Sequence, residues 1–343
     1  MIIQSFSTLG VAGCFAAATL VILILGTRLT DVADRLADRT GLGEALVGGV
    51  LLGVATSLSG TVVSVTSALD GSASLAFSNG IGGIAAQTAF LALADVVHRK
   101  ANLEHSAAEA TTLFQGALLM VMLTLPLLAW LSPELAVWQI HPVSVVLVAL
   151  YCVGVLTSRR VHEEPMWKPV RTRETREDVP DETHKRASLT GLLLRFSVMV
   201  VLLGLAGFVI ARSGAALSER LGMSQTVVGA LMTAVVTSLP ELVTTIAAVR
   251  RGAIQLAVGG IIGGNTFDVL FLSLSDFAYR DGSLYHAIGK GDVFWLGVGL
   301  LMTGIMVLGL ILREKQGPFR IGTESVCMLL VYAGAIALQV QAG

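Results

Sequence analysis

Two carboxylates stand where a membrane-compatible sequence can least tolerate charge. Glu241 follows Pro240 in the middle of an apolar run, and Asp268 closes the run Gly263-Gly264-Asn265-Thr266-Phe267-Asp268. An ionised group in hydrocarbon is costly, so such a residue usually lines an ion pathway. A proline or a glycine pair beside it frees backbone carbonyls that can serve as further ligands. Taken as continuous helices, Thr233, Thr237, Glu241 and Thr244 share one face by spacings of four, four and three. Thr56, Gly60, Ser64 and Ser67 repeat those spacings earlier in the chain. Asn265 and Asp268, three apart, share another face. All the donors are oxygens, with Ser238 and Ser57 adding hydroxyls, which suits hard cations and disfavours soft transition metals.

The elements that must position these groups are long apolar helices. Hydrophobic residues make up 54% of the 343-residue chain and charged residues 14%, against roughly a quarter charged in soluble domains. The composition is that of an integral membrane protein. Runs of about 20 apolar residues occur near 6–27, 44–69, 74–97, 107–131, 140–158, 189–211, 223–249, 254–279, 292–313 and 320–341. The expected fold is therefore all-α, with about ten transmembrane helices. The one long polar segment, 159–187, holds eight Lys/Arg, seven Asp/Glu and three prolines; it is expected to be a charged cytoplasmic loop. It divides the chain into a first repeat, 1–158, and a second, 188–343. Placing that loop in the cytoplasm puts 18 of the 23 Lys/Arg on the same side and four on the other, with Arg195 inside a span. By the positive-inside rule both termini then lie outside, and the protein belongs in a bacterial-type inner or plasma membrane. Met1–Gly26 has no basic leader and reads as a retained helix.

An internal repeat sets the architecture. A shift of 181 residues lays Gly41–Asp95 on Gly222–Asp276 without a gap, with 18 of 55 positions identical. Among them are Thr56-Ser57-Leu58 on Thr237-Ser238-Leu239, Gly71 on Gly252 and Ile81-Gly82-Gly83 on Ile262-Gly263-Gly264. Each half has five expected spans, an odd number, so the halves run oppositely through the bilayer. That is the inverted-repeat plan of secondary transporters, whose site lies where the repeats meet.

At these residues the chain resembles the cation/calcium exchanger superfamily. The second repeat carries the family's signature as Thr237-Ser238-Leu239-Pro240-Glu241-Leu242 and Gly263-Gly264-Asn265-Thr266-Phe267-Asp268. The first repeat departs from it. Ser59-Gly60 stands in place of Pro-Glu, and Gly83-Ile84 with Ala86-Gln87 replaces the later polar pairs; Thr56, Ser57 and Asn79 survive. The resemblance implies a secondary active antiporter that exchanges Ca²⁺ or another small cation for Na⁺ or H⁺ by alternating access. Glu241 would be the principal ligand, with Asn265, Asp268, Thr237, Ser238, Thr56, Ser57 and Asn79 around it.

Two carboxylates can balance one divalent ion, two monovalent ions or protons in their place, and a Glu241 with no facing acid makes proton coupling a natural reading. A monovalent Na⁺/H⁺ exchanger is the alternative favoured by the halved acidity. A non-transporting exchanger fold, acting as a sensor or assembly partner, is the alternative of another class. Metalloprotease, Walker and nucleotide motifs are absent, so no enzyme activity is expected. No cofactor is expected, and small cations and the lipid bilayer are the expected partners. No basic aromatic patch suggests nucleic acid, and the oligomeric state is open. Cys14, Cys152 and Cys327 fall in apolar runs, without disulfide or metal spacing. Residues such as Asn79 and Gln87 are more often helix–helix hydrogen-bonding groups than ligands, and Asp95 and Asp276, near span ends, read as solvated caps.

Overall fold

The computed structural model describes residues 6–40, 53–98, 101–107, 109–168, 170, 172, 188–317 and 321–342. Every regular element among them is helical. In chain order the helices are α1 (Thr8–Thr40), α2 (Gly53–Thr56), α3 (Leu58–Leu69), α4 (Ala73–His98), α5 (Leu103–Ser106), α6 (Ala110–Leu131), α7 (Pro142–Glu163) and α8 (Leu189–Leu221). There follow α9 (Gln225–Thr237, π-helical over Val228–Thr233), α10 (Leu239–Arg251), α11 (Ile254–Asp268), α12 (Leu270–Ala278), α13 (Leu284–Ala287), α14 (Lys290–Leu312) and α15 (Thr323–Ala342).

Eight of the expected spans appear as helices long and apolar enough to cross a membrane, and α9 with α10, bent by 42°, makes a ninth. The expected span 44–69 lies partly outside the described residues, and its remainder is the short α2 and the 12-residue α3. Most of the expected loop 159–187 also lies outside them, although α7 continues to Glu163 and takes in its first residues. Helices α1 and α8 likewise outrun their apolar cores, to Thr40 and Leu221; backbone hydrogen bonding does not stop where hydrophobicity does.

Two layers follow from composition. Helix α4 is apolar on all sides and rich in Gly, Ala and Ser; such a helix belongs in the interior, and 83% of its spanning window is buried. The α11–α12 span is 72% buried, whereas α1, α7 and α8 are each 22% buried. These outer helices present Leu20, Val153, Leu156, Leu194 and Leu205 outward, a surface suited to lipid. Cys152 and Cys327 are exposed on it, and all three cysteines are free thiols.

Small residues let the central backbones touch. A Cβ on Gly82 would lie 2.5 Å from Ala230 Cα, so α4 meets the π-helical stretch of α9 main chain to main chain.

Contacts recur at the 181-residue shift. Gly71 and Gly252 close their turns with φ of 75° and 85°, a left-handed backbone that suits glycine. Asp95 accepts from Leu103 N (2.8 Å) and Gly322 N (2.8 Å). Its counterpart Asp276 accepts from Leu284 N (2.9 Å) and His141 N (2.8 Å). Asp276 also takes the Ser144 hydroxyl at 2.7 Å. These two aspartates are not solvated caps. Both are buried, because each satisfies backbone N–H groups that a loop carries into the protein.

Candidate functional site at the helix breaks

The helices break beside the candidate acid. Ser238 interrupts the path from α9 to α10, and its counterpart Ser57 separates α2 from α3. Pro240 in the first turn of α10 needs no N–H donor there, and Glu241 follows at that helix N-terminus, where the helix dipole favours an anion. The shared helical face expected through Thr233, Thr237 and Glu241 is therefore interrupted. Thr237 Oγ1 instead donates back to Thr233 O at 2.9 Å, and Thr237 O, released by the break, lies 3.4 Å from Ser59 Oγ.

Glu241 is 4% exposed and Asp268 1%. The Thr56 and Ser57 hydroxyls flank the Glu241 carboxyl, and Ser57 also borders Asp268, so Ser57 stands between the two acids. Gln87 completes the centre: its Nε2 donates to Asp268 Oδ2 at 2.6 Å and to Ser238 Oγ at 3.3 Å. Gly83 and Gly264 leave room for this contact; a Cβ on Gly83 would sit 3.4 Å from Ser238 Oγ, and one on Gly264 3.5 Å from Gln87 Oε1.

Several buried oxygens here have no hydrogen-bond partner: both of Glu241, Asp268 Oδ1, Gln87 Oε1, Asn265 Oδ1 and Ser57 Oγ. Unpaired buried polar atoms normally cost about 1–3 kcal/mol each, so a cluster of them marks a place built for something else. A cavity of about 20 Å³ lies against Glu241 and Thr56, room for one water or one small ion. It is lined further by Thr244, Thr245 and Ala248 of α10 and by Leu256 and Ala257 of α11, so it leads toward the α10–α11 turn. A separate cavity of about 540 Å³, bordered by Asp70, Arg212, Glu219 and Gln225, does not reach the acids. Among the described residues no three His, Cys, Asp or Glu side chains are grouped so that they could hold a metal ion, and the acids of this centre are two.

The structure thus brings Thr56, Ser57, Ser238, Glu241 and Asp268 together. Asn265 is near, its Nδ2 donating to Thr88 Oγ1 at 3.0 Å. Asn79 is engaged elsewhere. It donates to Gly60 O (3.1 Å) and Ser64 Oγ (2.9 Å) and accepts from Thr233 (2.8 Å), tying α4 to α3 and α9. Two contributors are absent from the sequence-derived set. Gln87 is one; the repeat places it on Asp268, so donor and acceptor are each other's counterparts. Phe271 is the other. Gly60 is the counterpart of Glu241, and a Cβ there would lie 2.7 Å from Phe271 Cε2 and 3.1 Å from its Cζ. The aromatic ring fills the place that a first-half acid would need.

A buried two-carboxylate centre lies at paired helix breaks inside a bundle of lipid-compatible helices, the build of an integral membrane protein. The sodium/calcium exchanger protein family matches residues 10–159 and 191–341, and the chain belongs to that family. The sodium/calcium exchanger MaX1 of Methanosarcina acetivorans is 46% identical over 63 residues, 18% of either chain. Inner membrane protein YrbG of Escherichia coli is 28% identical over 167 residues, 43% of this chain and 50% of that one. The chain thus aligns with half or less of the length of these relatives. Human sodium/potassium/calcium exchanger 5 is 26% identical over 126 residues, 36% of this chain and 25% of its own. The fold matches the sodium-calcium exchanger NCX_Mj (TM-score 0.64, 17% identity, 96% of this chain and 99% of that one). It also matches the H⁺/Ca²⁺ exchanger CAX (TM-score 0.69, 12% identity, 97% and 86%). The family and these structural neighbours are exchangers, not enzymes.

Proposed function

We propose that the protein is a secondary active cation antiporter, exchanging Ca²⁺ or another small cation for Na⁺ or H⁺ by alternating access. The observation that carries this reading is the set of partnerless buried oxygens around Glu241 and Asp268. A Ca²⁺ ion wants about six to eight oxygens, and carboxylate, amide and hydroxyl oxygens are what this centre offers. Glu241 is the principal ligand, with Asp268, Ser57, Thr56 and Ser238 beside it and Asn265 turning its free Oδ1 inward. Thr237 contributes through its main chain, and Asn79 braces the site.

The architecture we propose is two inverted five-helix repeats, 1–158 and 188–343, joined by a cytoplasmic segment 159–187, with both termini outside. The contacts that recur at the 181-residue shift support it, as does the bond between the counterparts Gln87 and Asp268. A bond between counterparts is what a pseudo-twofold axis through the site produces.

Purified protein in liposomes is expected to take up ⁴⁵Ca²⁺ against an outward Na⁺ or H⁺ gradient, and Glu241→Gln to abolish uptake. Gradient-driven transport that survives in Glu241→Gln would overturn the reading. The neutral residues Gly60 and Gln87, opposite the two acids, favour a second reading: exchange of monovalent Na⁺ for H⁺. Flux of ²²Na⁺ without ⁴⁵Ca²⁺ flux in the same vesicles selects it.

A further inference from the structure

At the end of α4 that carries Asp95, Glu104 on α5 is fully buried, and neither of its carboxylate oxygens has a hydrogen-bond partner. Glu324, in the first turn of α15, lies at hydrogen-bonding range of it, and Glu324 Oε1 is also without a partner. Two carboxylates hold no proton to donate, so the contact is repulsive as long as both are ionised.

Among the described residues, the charges that act on Glu104 and Glu324 are themselves negative. Asp95 on α4 acts on both, and its own oxygens already accept from Leu103 N and Gly322 N. Glu314, in the α14–α15 connection, adds further negative charge on Glu324. His98 on α4 faces Asp95. Arg313 spends its Nη atoms on the carbonyls of Val170 and His105. His105 binds Arg313 O and the Thr172 hydroxyl. Burial, then Asp95, then Glu324 push the Glu104 carboxyl well above the usual carboxylate range.

The other half of the molecule shows what the position requires. Glu104 shifted by 181 is Tyr285, and Ser325 is the counterpart of Ser144. Ser144 gives its proton to Asp276 at 2.7 Å, so the Tyr285 hydroxyl must donate to Ser144 Oγ at 2.9 Å. Burial holds that phenol protonated. An O–H donor therefore occupies this place in the second half, and a carboxyl can supply one in the first half only with a proton on it.

We propose that Glu104 and Glu324 form a proton-binding site separate from the transport centre: a carboxylic acid and a carboxylate that hold one exchangeable proton between them and latch α5 and α15 to the end of α4. That helix carries Gln87 eight residues before Asp95, about two turns away, so losing the proton loosens the end of the element that reaches Asp268. The site responds to pH on its own side of the membrane. It stands independently of what the protein transports.

The sign of the pH dependence follows from linkage. A carboxyl held protonated in the folded chain contributes stability that is full below its unfolded value. That stability is lost as pH rises from there to the raised folded value, by up to tenfold in the folded-to-unfolded ratio per pH unit. Thermal unfolding of the full-length protein in detergent, followed from pH 5 to pH 9, tests this. Glu104→Gln, whose amide can donate to Glu324 without a proton, is expected to flatten the profile and to exceed the native protein at high pH. Glu324→Gln serves as a second variant with the same expectation. The infrared C=O band of a protonated carboxylic acid should weaken in either variant near neutral pH. Variants whose profile and band match the native protein overturn the proposal. So does stabilisation by Ca²⁺ or Na⁺ that either variant abolishes while Glu241→Gln retains it, because the pair would then be a cation site.

Discussion

The contact of Gly60 with Phe271 makes a prediction whose sign depends on background. Replacing Gly60 by Ala adds a methyl that meets Phe271 Cε2 at 2.7 Å, closer than van der Waals contact allows. Phe271 is 3% exposed, so its ring has little room to swing, and overpacking of this kind costs about 1–3 kcal/mol. Gly60 lies inside α3, where alanine gains about 1 kcal/mol in helix propensity. The net cost in the native background is then about 0–2 kcal/mol. Phe271→Ala alone should cost about 3–5 kcal/mol. In the Phe271→Ala background the clash is gone and only the propensity gain remains, so Gly60→Ala should stabilise by up to about 1 kcal/mol. The coupling in the double-mutant cycle is therefore about 1–3 kcal/mol, within the range of contacting residues. Thermal or denaturant unfolding of the four proteins in one detergent measures it. Equal effects of Gly60→Ala in both backgrounds would refute the claim that the ring occupies the missing acid's place. The same logic extends to transport: Gly60→Glu alone should fold poorly, and Gly60→Glu with Phe271→Ala should fold better than either change predicts by addition.

Three further outcomes follow from the geometry. Asp276→Ala leaves His141 N, Leu284 N and the Ser144 hydroxyl without their acceptor; at about 1–3 kcal/mol for each orphaned group the loss should be severe, with Asp276→Asn milder in the same melting assay. A Cβ on Gly229 would collide with the Ser78 hydroxyl and approach Leu75 O at 3.1 Å, so Gly229→Ala should destabilise by about 1–3 kcal/mol, and adding Ser78→Ala should return part of that. A cation that occupies the Glu241–Asp268 centre should stabilise the protein by about 2.7 kcal/mol at a concentration of 100 Kd; Glu241→Gln should erase that increment at fixed pH, and an unchanged increment would place the bound ion elsewhere.

The sequence shows the membrane helices, the family and the second-half acids because each leaves a one-dimensional trace: an apolar run, a repeat, or a charge where none is affordable. It hides features that depend on what faces a residue across the bundle. Gln87 resembles an ordinary bridging amide until Asp268 is found 2.6 Å away, although the 181-residue shift already aligned the two. Asp95 and Asp276 lie near the ends of their apolar runs, and only the chain folding back brings N–H groups onto them. The break at Ser238 interrupts the continuous helical face that regular spacing predicts through Thr233, Thr237 and Glu241. The plugging of the Gly60 position by Phe271 joins residues more than two hundred positions apart, and no local pattern announces it.

The Gln87 amide has a consequence for selectivity. A cation drawn to Asp268 Oδ2 would meet the resident Gln87 amide and have to turn it aside, whereas Glu241 is flanked by the rotatable hydroxyls of Thr56 and Ser57. On the proposed reading the two acids would discriminate differently: a hydroxyl can rotate to present its oxygen to a cation, whereas the Gln87 N–H group can only be displaced. Lengthening or shortening that single side chain, as in Gln87→Glu or Gln87→Asn, should retune which ions are held without touching either carboxylate.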